Sequence, residues 1–519
     1  MAPQNQPNVL FIVIDQLRAD CLTGELADFV KTPHLDALMA ESVTFTNHFT
    51  VATPCGPARA SLLTGLYAMN HRVVRNGTPL DARHTNIALE VRKAGYDPLL
   101  LGYTDTAADP RGLPADDPAL KEYEGVMPGF RETLPMRFDT YSDWPSYLKE
   151  KGYDLPEGYR ALYEPVLQNG NSSPITNPAF YRAEDSDTAF LTDRTIAKLN
   201  QWSDVPWFGH ITYIRPHPPF VAPAPYNDLY APDDCPRPHV SNDVEEERAS
   251  HPYYDALFAK PYPRRLYYGF DGDLARVSAQ DHQEMRAIYF GLITEVDAHI
   301  GRLVAWLKET GTYDETLIVV TSDHGEILGD HHHWYKESPY DGSFHIPLII
   351  RDPSRRQAAG QQIDLFTESV DVTPTILNCL GLEIPVAMDG RSLVPFLEGN
   401  KPTSWRSHIF FEHDFGNLSD EFFEGFLNLT SDQCSFAVLR TQTHKYVHFN
   451  GGLPPMLYDL VADPGEFTNL AGESNHRDIE LEMMRKLMDH RMTHADRSLT
   501  RMQLHPDGLI VKPGPRQNA

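Results

Sequence analysis

Two carboxylates and an imidazole stand where apolar runs end. Asp15 closes the run Val9–Ile14, and Asp323 with His324 closes the run "LIVVTSDHG", Leu317 to Gly325. Short β-branched runs of this kind read as buried parallel strands, so these side chains emerge at strand carboxyl ends, where α/β sheets take their ligands. A strand-end Asp can equally cap a loop. Two strand ends aimed at one place favour a shared hard divalent cation, which makes such a cluster of negative charge tolerable. A thiol adds a second chemistry. In "TPCGPARASLLTG", residues 53–65, Cys55 lies between two prolines and Arg59 follows four places on, just as an apolar helical pattern begins. Cys55 reads either as a buried structural thiol or as a thiolate favoured by a helix N-terminus. The stretch from Cys to Arg is short for a thiolate that cradles phosphate, and a hard-oxygen metal site suits an oxygen nucleophile better than sulfur.

The elements that must position these residues alternate. Apolar runs recur at "PLLLGY" (98–103), "WFGHITYI" (207–214) and "IPLII" (346–350), with helical patterns between them over 33–41, 57–66, 86–94, 188–202 and 280–309. This alternation predicts an α/β fold: a large mixed, mostly parallel sheet flanked by helices over residues 1–400. Strands at "HIFFEH", "FAVLRT" and "KYVHF" and a helix near 479–490 predict a smaller C-terminal antiparallel α+β subdomain over 401–494. Two stretches rich in Pro, Gly, Asp and Tyr, 105–185 and 222–273, are expected to wall an active site. The tail, 495–519, has no apolar face of its own and is expected to be extended, either disordered or an arm laid on another subunit.

Composition sets the partners. With 45 basic against 72 acidic residues, formally −27, neither nucleic acid nor an anionic membrane is expected. An anionic substrate then needs a local positive site. Five scattered cysteines argue against a disulfide framework, and the first apolar run is too short to span a bilayer, so a cytoplasmic enzyme is expected.

The spacing Cys55, Pro57, Arg59 followed by "SLLTG" resembles the signature that formylglycine-generating enzymes recognise in sulfatases. The likeness extends through "NVLFIVIDQLRAD", "RPHPPFVA", "GLITEVDAHIGRL", "TSDHGEILGDHH" and "YDLVADPGEFTNLA", in order across most of the chain. These motifs resemble the sulfatase branch of the alkaline phosphatase superfamily, and within it the phosphonate monoester hydrolases and cytoplasmic arylsulfatases. The resemblance implies an alkaline phosphatase-like fold, oxidation of Cys55 to formylglycine and one divalent ion per chain, Mn²⁺ first and Ca²⁺ or Mg²⁺ next. The hydrated aldehyde offers two hydroxyls on one carbon. One, activated by the metal, attacks sulfur or phosphorus and expels the alcohol; the other then loses its proton as the C–O bond breaks and the product leaves.

The resemblance assigns further roles. Asp15, Asp323, His324 and an oxygen of matured Cys55 would ligate the metal. Many sulfatases have a second acidic residue where Gln16 stands, and its amide would ligate at lower charge. Arg59 would orient and neutralise the hydrate, Asn76 would contact a non-bridging oxygen, and His217 with Lys336 would flank the leaving-group oxygen, either one donating its proton. In place of the Lys-x-His of many sulfatases this chain has Tyr103 and Asp105; the phosphonate hydrolases share the Tyr but have Thr at the second position. A charged Asp105 beside the transferred group would disfavour dianions, so aryl sulfates are expected to be turned over best, with promiscuity toward phosphonate monoesters and phosphodiesters. A phosphonate monoester hydrolase is the alternative, followed by a two-metal phosphatase and a sulfatase-like binding protein whose Cys55 stays unconverted. Expected partners are a small anionic ester, a formylglycine-generating enzyme and further copies of the chain as a homodimer or homotetramer. The triplet His331–His333 is read as not forming a metal site, because consecutive histidines cannot readily face one ion, and His345 is read as a packed strand-edge residue.

Overall fold

The computed structural model describes residues 6–137, 143–167, 175–202, 205–241, 243–261, 266–270, 272, 274–496, 499–500 and 502–511. Eight strands make one mixed sheet. From edge to edge they are Gln362–Ile363, Val43–Phe45, Leu348–Arg351, Thr316–Ser322, Asn8–Ile14, Phe208–Tyr213, Pro98–Gly102 and Arg131–Pro135. Within it, Leu348–Arg351 runs antiparallel to both its neighbours and the other pairings are parallel. The three central strands are buried at every position, which is why they read as unbroken apolar runs.

Alternate residues of Asn8–Ile14 feed two cores. Leu10, Ile12 and Ile14 pack in the cluster that holds the 31-residue helix Ala279–Glu309, while Val9, Phe11 and Val13 pack with Leu62, Leu63 and Ile376 from the helices of the opposite face. The expected α/β layering is therefore present. The long helix starts at a capping box, Ser278 with Asp281. The helix expected at 57–66 runs Cys55–Thr64 and stops at Gly65, whose φ of +68° is the left-handed conformation a glycine cap adopts without strain.

Register brings the chemistry together. Ile14 pairs with both Ser322 and Tyr213, so Asp15 and Asp323 leave neighbouring parallel strands at the same level.

The C-terminal strands His408–Asp414, Ser435–Thr441, His444–Phe449 and Met456–Asp459 form an antiparallel meander backed by the helix Arg477–His494. One feature departs from the expected separate antiparallel unit. The short strand Ala52–Thr53 joins this sheet in parallel, pairing with Glu412 and His413, and leads directly into Cys55. A core spanning Leu10 to Tyr458 is continuous across the expected boundary.

The tail also differs from its expectation. Met502–His505 and Gly508–Val511 form an antiparallel hairpin with every strand residue exposed, including Leu504, Leu509 and Ile510. "HPDG" is a turn signal that explains the reversal. Tail positions 497–498, 501 and 512–519 lie outside the described residues, as do parts of the two long segments.

Candidate active site

Asp15, Cys55, Asp323 and His324 each offer a ligand atom, and these atoms lie within 4.8 Å of one another, all buried. Cys55 is the first residue of its helix, and its Sγ lies 3.1 Å from His324 Nε2. The His324 Nδ1 hydrogen-bonds Gly325 O at 3.0 Å, which places the proton there and leaves the Nε2 lone pair facing the cluster. Burial, helped by Lys336, holds this imidazole well below the usual histidine range, so it is neutral as a metal ligand must be. Asp15 Oδ1 is buried without a hydrogen-bond partner. An orphaned carboxylate oxygen beside a neutral imidazole and a second carboxylate fits a divalent cation.

Arg59, only 1% exposed, lies behind this cluster. Its Nη2 reaches Asp15 Oδ2 at 3.0 Å and Asp323 Oδ2 at 2.9 Å, its Nε lies 3.3 Å from Asp105, and its guanidinium stacks 4.3 Å from the Tyr103 ring. It holds the carboxylates and does not line the cavity. Tyr103 donates its hydroxyl to Asp15 Oδ2 at 2.6 Å, so the position that is Lys in many sulfatases here fixes an acid.

A cavity of about 560 Å³ opens from the cluster, lined by Asp15, Cys55, Asn76, Tyr103, Asp105, His217 and Lys336. Asn76 Oδ1 accepts the Gly56 N–H at 2.8 Å, so its amide N–H₂ is the end it can offer a ligand. A methyl on Gly56 would meet Asn76 Oδ1 at 3.1 Å and Asp105 O at 3.4 Å, which keeps this approach close. His217 Nδ1 hydrogen-bonds Pro218 O at 2.6 Å, and burial, with Lys336, lowers it to about 4. Near neutral pH its Nε2 is therefore an acceptor. Burial pulls the Lys336 ammonium down, but Cys55, Asp15, Asp323 and Glu326 more than offset this, and it ends above the ordinary lysine range. Lys336 is thus the protonated member of the pair and His217 the neutral one. Burial, with Asp15 adding to it, raises the Cys55 thiol well above its usual range, which counts against a thiolate nucleophile.

Gln16, at φ +68°, directs its amide oxygen to Lys336 Nζ at 2.6 Å and its amide N–H₂ to Glu326. Glu326 stands in the quoted "TSDHGE" motif, yet its link to the site depends on a tertiary approach that no spacing displays. The cavity's outer wall, with Tyr123, Glu124, Arg160, Tyr163, Tyr268 and Glu337, comes largely from the two Pro- and Tyr-rich stretches. Their place around the site was legible; which of their residues face inward was not.

The histidine triplet scatters. His331 Nδ1 bonds Glu247, His332 Nε2 bonds Ser241 O, and His333 stacks on Phe258. His345 bonds Thr46 O and stacks on Phe49.

A mostly parallel sheet with a buried carboxylate, imidazole and cysteine cluster at the carboxyl ends of its central strands, next to a C-x-P-x-R helix start, defines a class. The chain belongs to the sulfatase family, whose model matches residues 7–382, and the model described as N-sulphoglucosamine sulphohydrolase, C-terminal, matches 329–493. It is a hydrolase acting on sulfate or phosphonate esters, and membership implies a metal ion and a formylglycine-forming cysteine. Among individual relatives it is 42% identical over 97% of its length, and 99% of the other, to the multifunctional alkaline phosphatase superfamily protein PehA of Trinickia caryophylli. The solved phosphonate monoester hydrolase SpPMH of Silicibacter pomeroyi superposes with a TM-score of 0.93 at 48% identity, covering 98% of this chain and 99% of that one. That of Agrobacterium radiobacter gives 0.94 at 42% identity over 98% and 100%. Among the described residues no helix is long and apolar enough to cross a membrane.

Proposed function

We propose that this protein hydrolyses phosphonate monoesters and phosphodiesters, and sulfate esters as a second class, with Cys55 matured to formylglycine as the nucleophile. Near-full-length likeness to two phosphonate monoester hydrolases moves phosphonates ahead of the sulfates that the sequence alone favoured. The observation that carries the reading is the buried Asp15–Cys55–Asp323–His324 cluster, of which Asp15 and Cys55 line the cavity.

When bound by these residues, a divalent cation lowers the pKa of an oxygen nucleophile and neutralises charge on the transferred group. The remaining work belongs to the chain. Tyr103 and Arg59 hold Asp15 in place, and the Gly325 carbonyl fixes the His324 tautomer. The Asn76 amide N–H₂ takes a non-bridging oxygen of the ester. Lys336 gives its proton to the departing alcohol oxygen, and neutral His217 accepts a proton at Nε2 when water or the second hydroxyl must lose one. All three ester classes are monoanions with an alcohol leaving group, so this core accepts each of them. Residue 16 is proposed as a ligand through the same amide oxygen that Lys336 engages, since a carbonyl oxygen has two lone pairs.

One divalent ion per chain, a cytoplasmic site of action and a homo-oligomer complete the proposal, with the exposed hairpin 502–511 as the arm that meets another copy. A two-metal phosphatase is less well supported, because among the described residues this is the one group of three or more His, Cys, Asp or Glu arranged to hold an ion. The test is to coexpress the chain with a formylglycine-generating enzyme, weigh the tryptic peptide containing Cys55, and compare kcat/KM for phenylphosphonate, phosphodiester and sulfate esters of 4-nitrophenol. Conversion of Cys55 with phosphonate or diester turnover leading is expected. A retained thiol and no turnover would favour the binding-protein reading.

A further inference from the structure

The central strand Phe208–Tyr213 leads into Arg215 and then into the turn Pro216–Pro219, which presents His217 to the cavity. Three of the turn's four residues are proline, so its one backbone N–H is that of His217, which donates to Ile214 O at 2.9 Å. The turn's carbonyls must find their donors elsewhere. The His217 ring supplies one, to Pro218 O at 2.6 Å. Arg215, 1% exposed, supplies two more from inside: its Nη1 donates to His217 O at 3.3 Å and to Pro219 O at 3.1 Å. The rest of the guanidinium is tied down. Its Nε lies 3.3 Å from Asp187 Oδ2, its Nη2 donates to the Tyr181 hydroxyl at 3.4 Å, and it stacks 4.6 Å from the ring of Tyr163 on the cavity wall. Burial, with Asp187 adding to it, pushes Glu295 of the long helix up to about 8, so near neutral pH Asp187 is the counter-charge. We infer that Arg215 is a positioning residue for His217, bonding the turn's carbonyls so that the imidazole keeps its place at the cavity and its bond to Pro218. Its consequence for turnover rests on the proposed role of His217 as proton acceptor.

These bonds dictate what a substitution does. Lysine keeps the charge that Asp187 needs, but one nitrogen on a shorter stem cannot serve a carboxylate, two carbonyls and a hydroxyl together, and it offers Tyr163 no plane to stack on. Arg215→Lys therefore releases the carbonyls of His217 and Pro219 while the ion pair survives. A buried carboxylate left alone is costly, so a second variant combines Arg215→Met with Asp187→Asn and leaves no charge unpaired. It serves if Arg215→Lys does not fold.

The test reads the ring and the turnover separately. In the full-length enzyme near neutral pH, with Mg²⁺ supplied in place of paramagnetic Mn²⁺, the His217 ring N–H bonded to Pro218 O at 2.6 Å should give a downfield, slowly exchanging proton resonance, assigned by its loss in His217→Asn. The corresponding His324 resonance, assigned in His324→Ala, is the control for an intact cluster. Arg215→Lys should broaden or abolish the His217 signal and leave that of His324. In parallel, kcat/KM for one ester is measured in a double-mutant cycle with His217→Asn. His217→Asn should cost about a hundredfold, as loss of a general base does. Arg215→Lys should cost about tenfold alone, through misplacement of that base, and less than about twofold once His217 is gone. A His217 resonance unchanged in folded variants overturns the inference, and so do equal tenfold losses in the two backgrounds, which is what a purely structural Arg215 predicts. A resonance that disappears while Arg215→Lys and His217→Asn each cost little supports the positioning role and overturns the acceptor role of His217 instead.

Discussion

Replacing Asp105 by Asn probes how the cavity manages charge. Asp105 lines the cavity in a left-handed conformation, φ +48°, and burial, opposed by Arg59 but reinforced by Glu124, pushes it from 3.8 up to about 8. Between these values the unfolded chain has released a proton that the folded chain keeps. Stability from this group is therefore full below about pH 4, falls as pH rises, and levels off above about 8. A shift of about four units at ~1.4 kcal/mol each gives an upper bound of roughly 6 kcal/mol. Asn copies the protonated carboxyl and carries no such penalty. Urea unfolding of metal-free protein between pH 4 and 9 measures the effect. The wild type and Asp105→Asn should agree near pH 4 and diverge by several kcal/mol in favour of Asn at pH 8, less whatever Arg59 loses with its partner. Parallel curves would refute the buried-proton argument.

The same proton bears on substrate choice. A protonated Asp105 puts no negative charge beside the transferred group, so the discrimination against dianionic phosphate monoesters expected from sequence should emerge only above about pH 8. Two unit charges ~4 Å apart at an effective dielectric of 20 interact by ~4 kcal/mol, roughly a thousandfold before screening. Asp105→Asn should abolish that pH-dependent change in the substrate ratio.

Four further outcomes follow from the site. Cys55→Ala should abolish turnover with the fold intact by circular dichroism, while Cys55→Ser should manage at most slow single turnovers; steady turnover at the wild-type rate would refute the hydrate mechanism. Metal analysis should find one divalent ion per chain, with occupancy lost in His324→Ala, and two tightly held ions would sink the assignment. His217→Asn should remove a limb near pH 4 from the kcat/KM profile, since protonation of this group falls there in the free enzyme; a wild-type profile with no such limb contradicts the neutral-acceptor role. Deleting residues 495–519 should lower the mass seen by sedimentation, and an unchanged mass argues against an intersubunit arm.

The sequence displayed what is local or periodic. The central strands announced themselves because burial on both faces demands unbroken apolar runs, and the placement of Asp15 and Asp323 at strand ends followed from that alone. Cys55 was legible because its motif is contiguous. What stayed hidden depends on approach in space. That Ala52–Thr53 completes the C-terminal sheet cannot be read from two residues, since pairing partners some 360 positions away leave no local trace. The resemblance gave Arg59 the role of orienting and neutralising the hydrate; that Asp15, Asp323 and Asp105, from different segments, surround it behind the cluster is a tertiary arrangement no motif displays. The hairpin at 502–511 was missed for another reason: its turn residues were present, but no buried partner face supported a strand assignment.

The placement of Arg59 bears on the proposal that one core accepts several esters. Its charge is engaged by carboxylates and screened from the cavity, which leaves Lys336 and the proposed cation as the positive groups next to the cluster, with Arg160 further out on the wall. With His217 and His324 neutral and Asp105 protonated near neutral pH, nothing added to this inner set distinguishes sulfur from phosphorus at equal substrate charge. Selection among monoanions must then fall to the alcohol side, where Tyr123, Tyr163 and Tyr268 form the outer wall. Changing a wall residue such as Tyr268 to Ala should alter kcat/KM among leaving groups of one acid while leaving the phosphonate-to-sulfate ratio for a fixed leaving group within about twofold, less than the tenfold that ~1.4 kcal/mol represents. A large change in that ratio would mean that the wall reaches the transferred group and that discrimination between acids is not confined to the inner cluster.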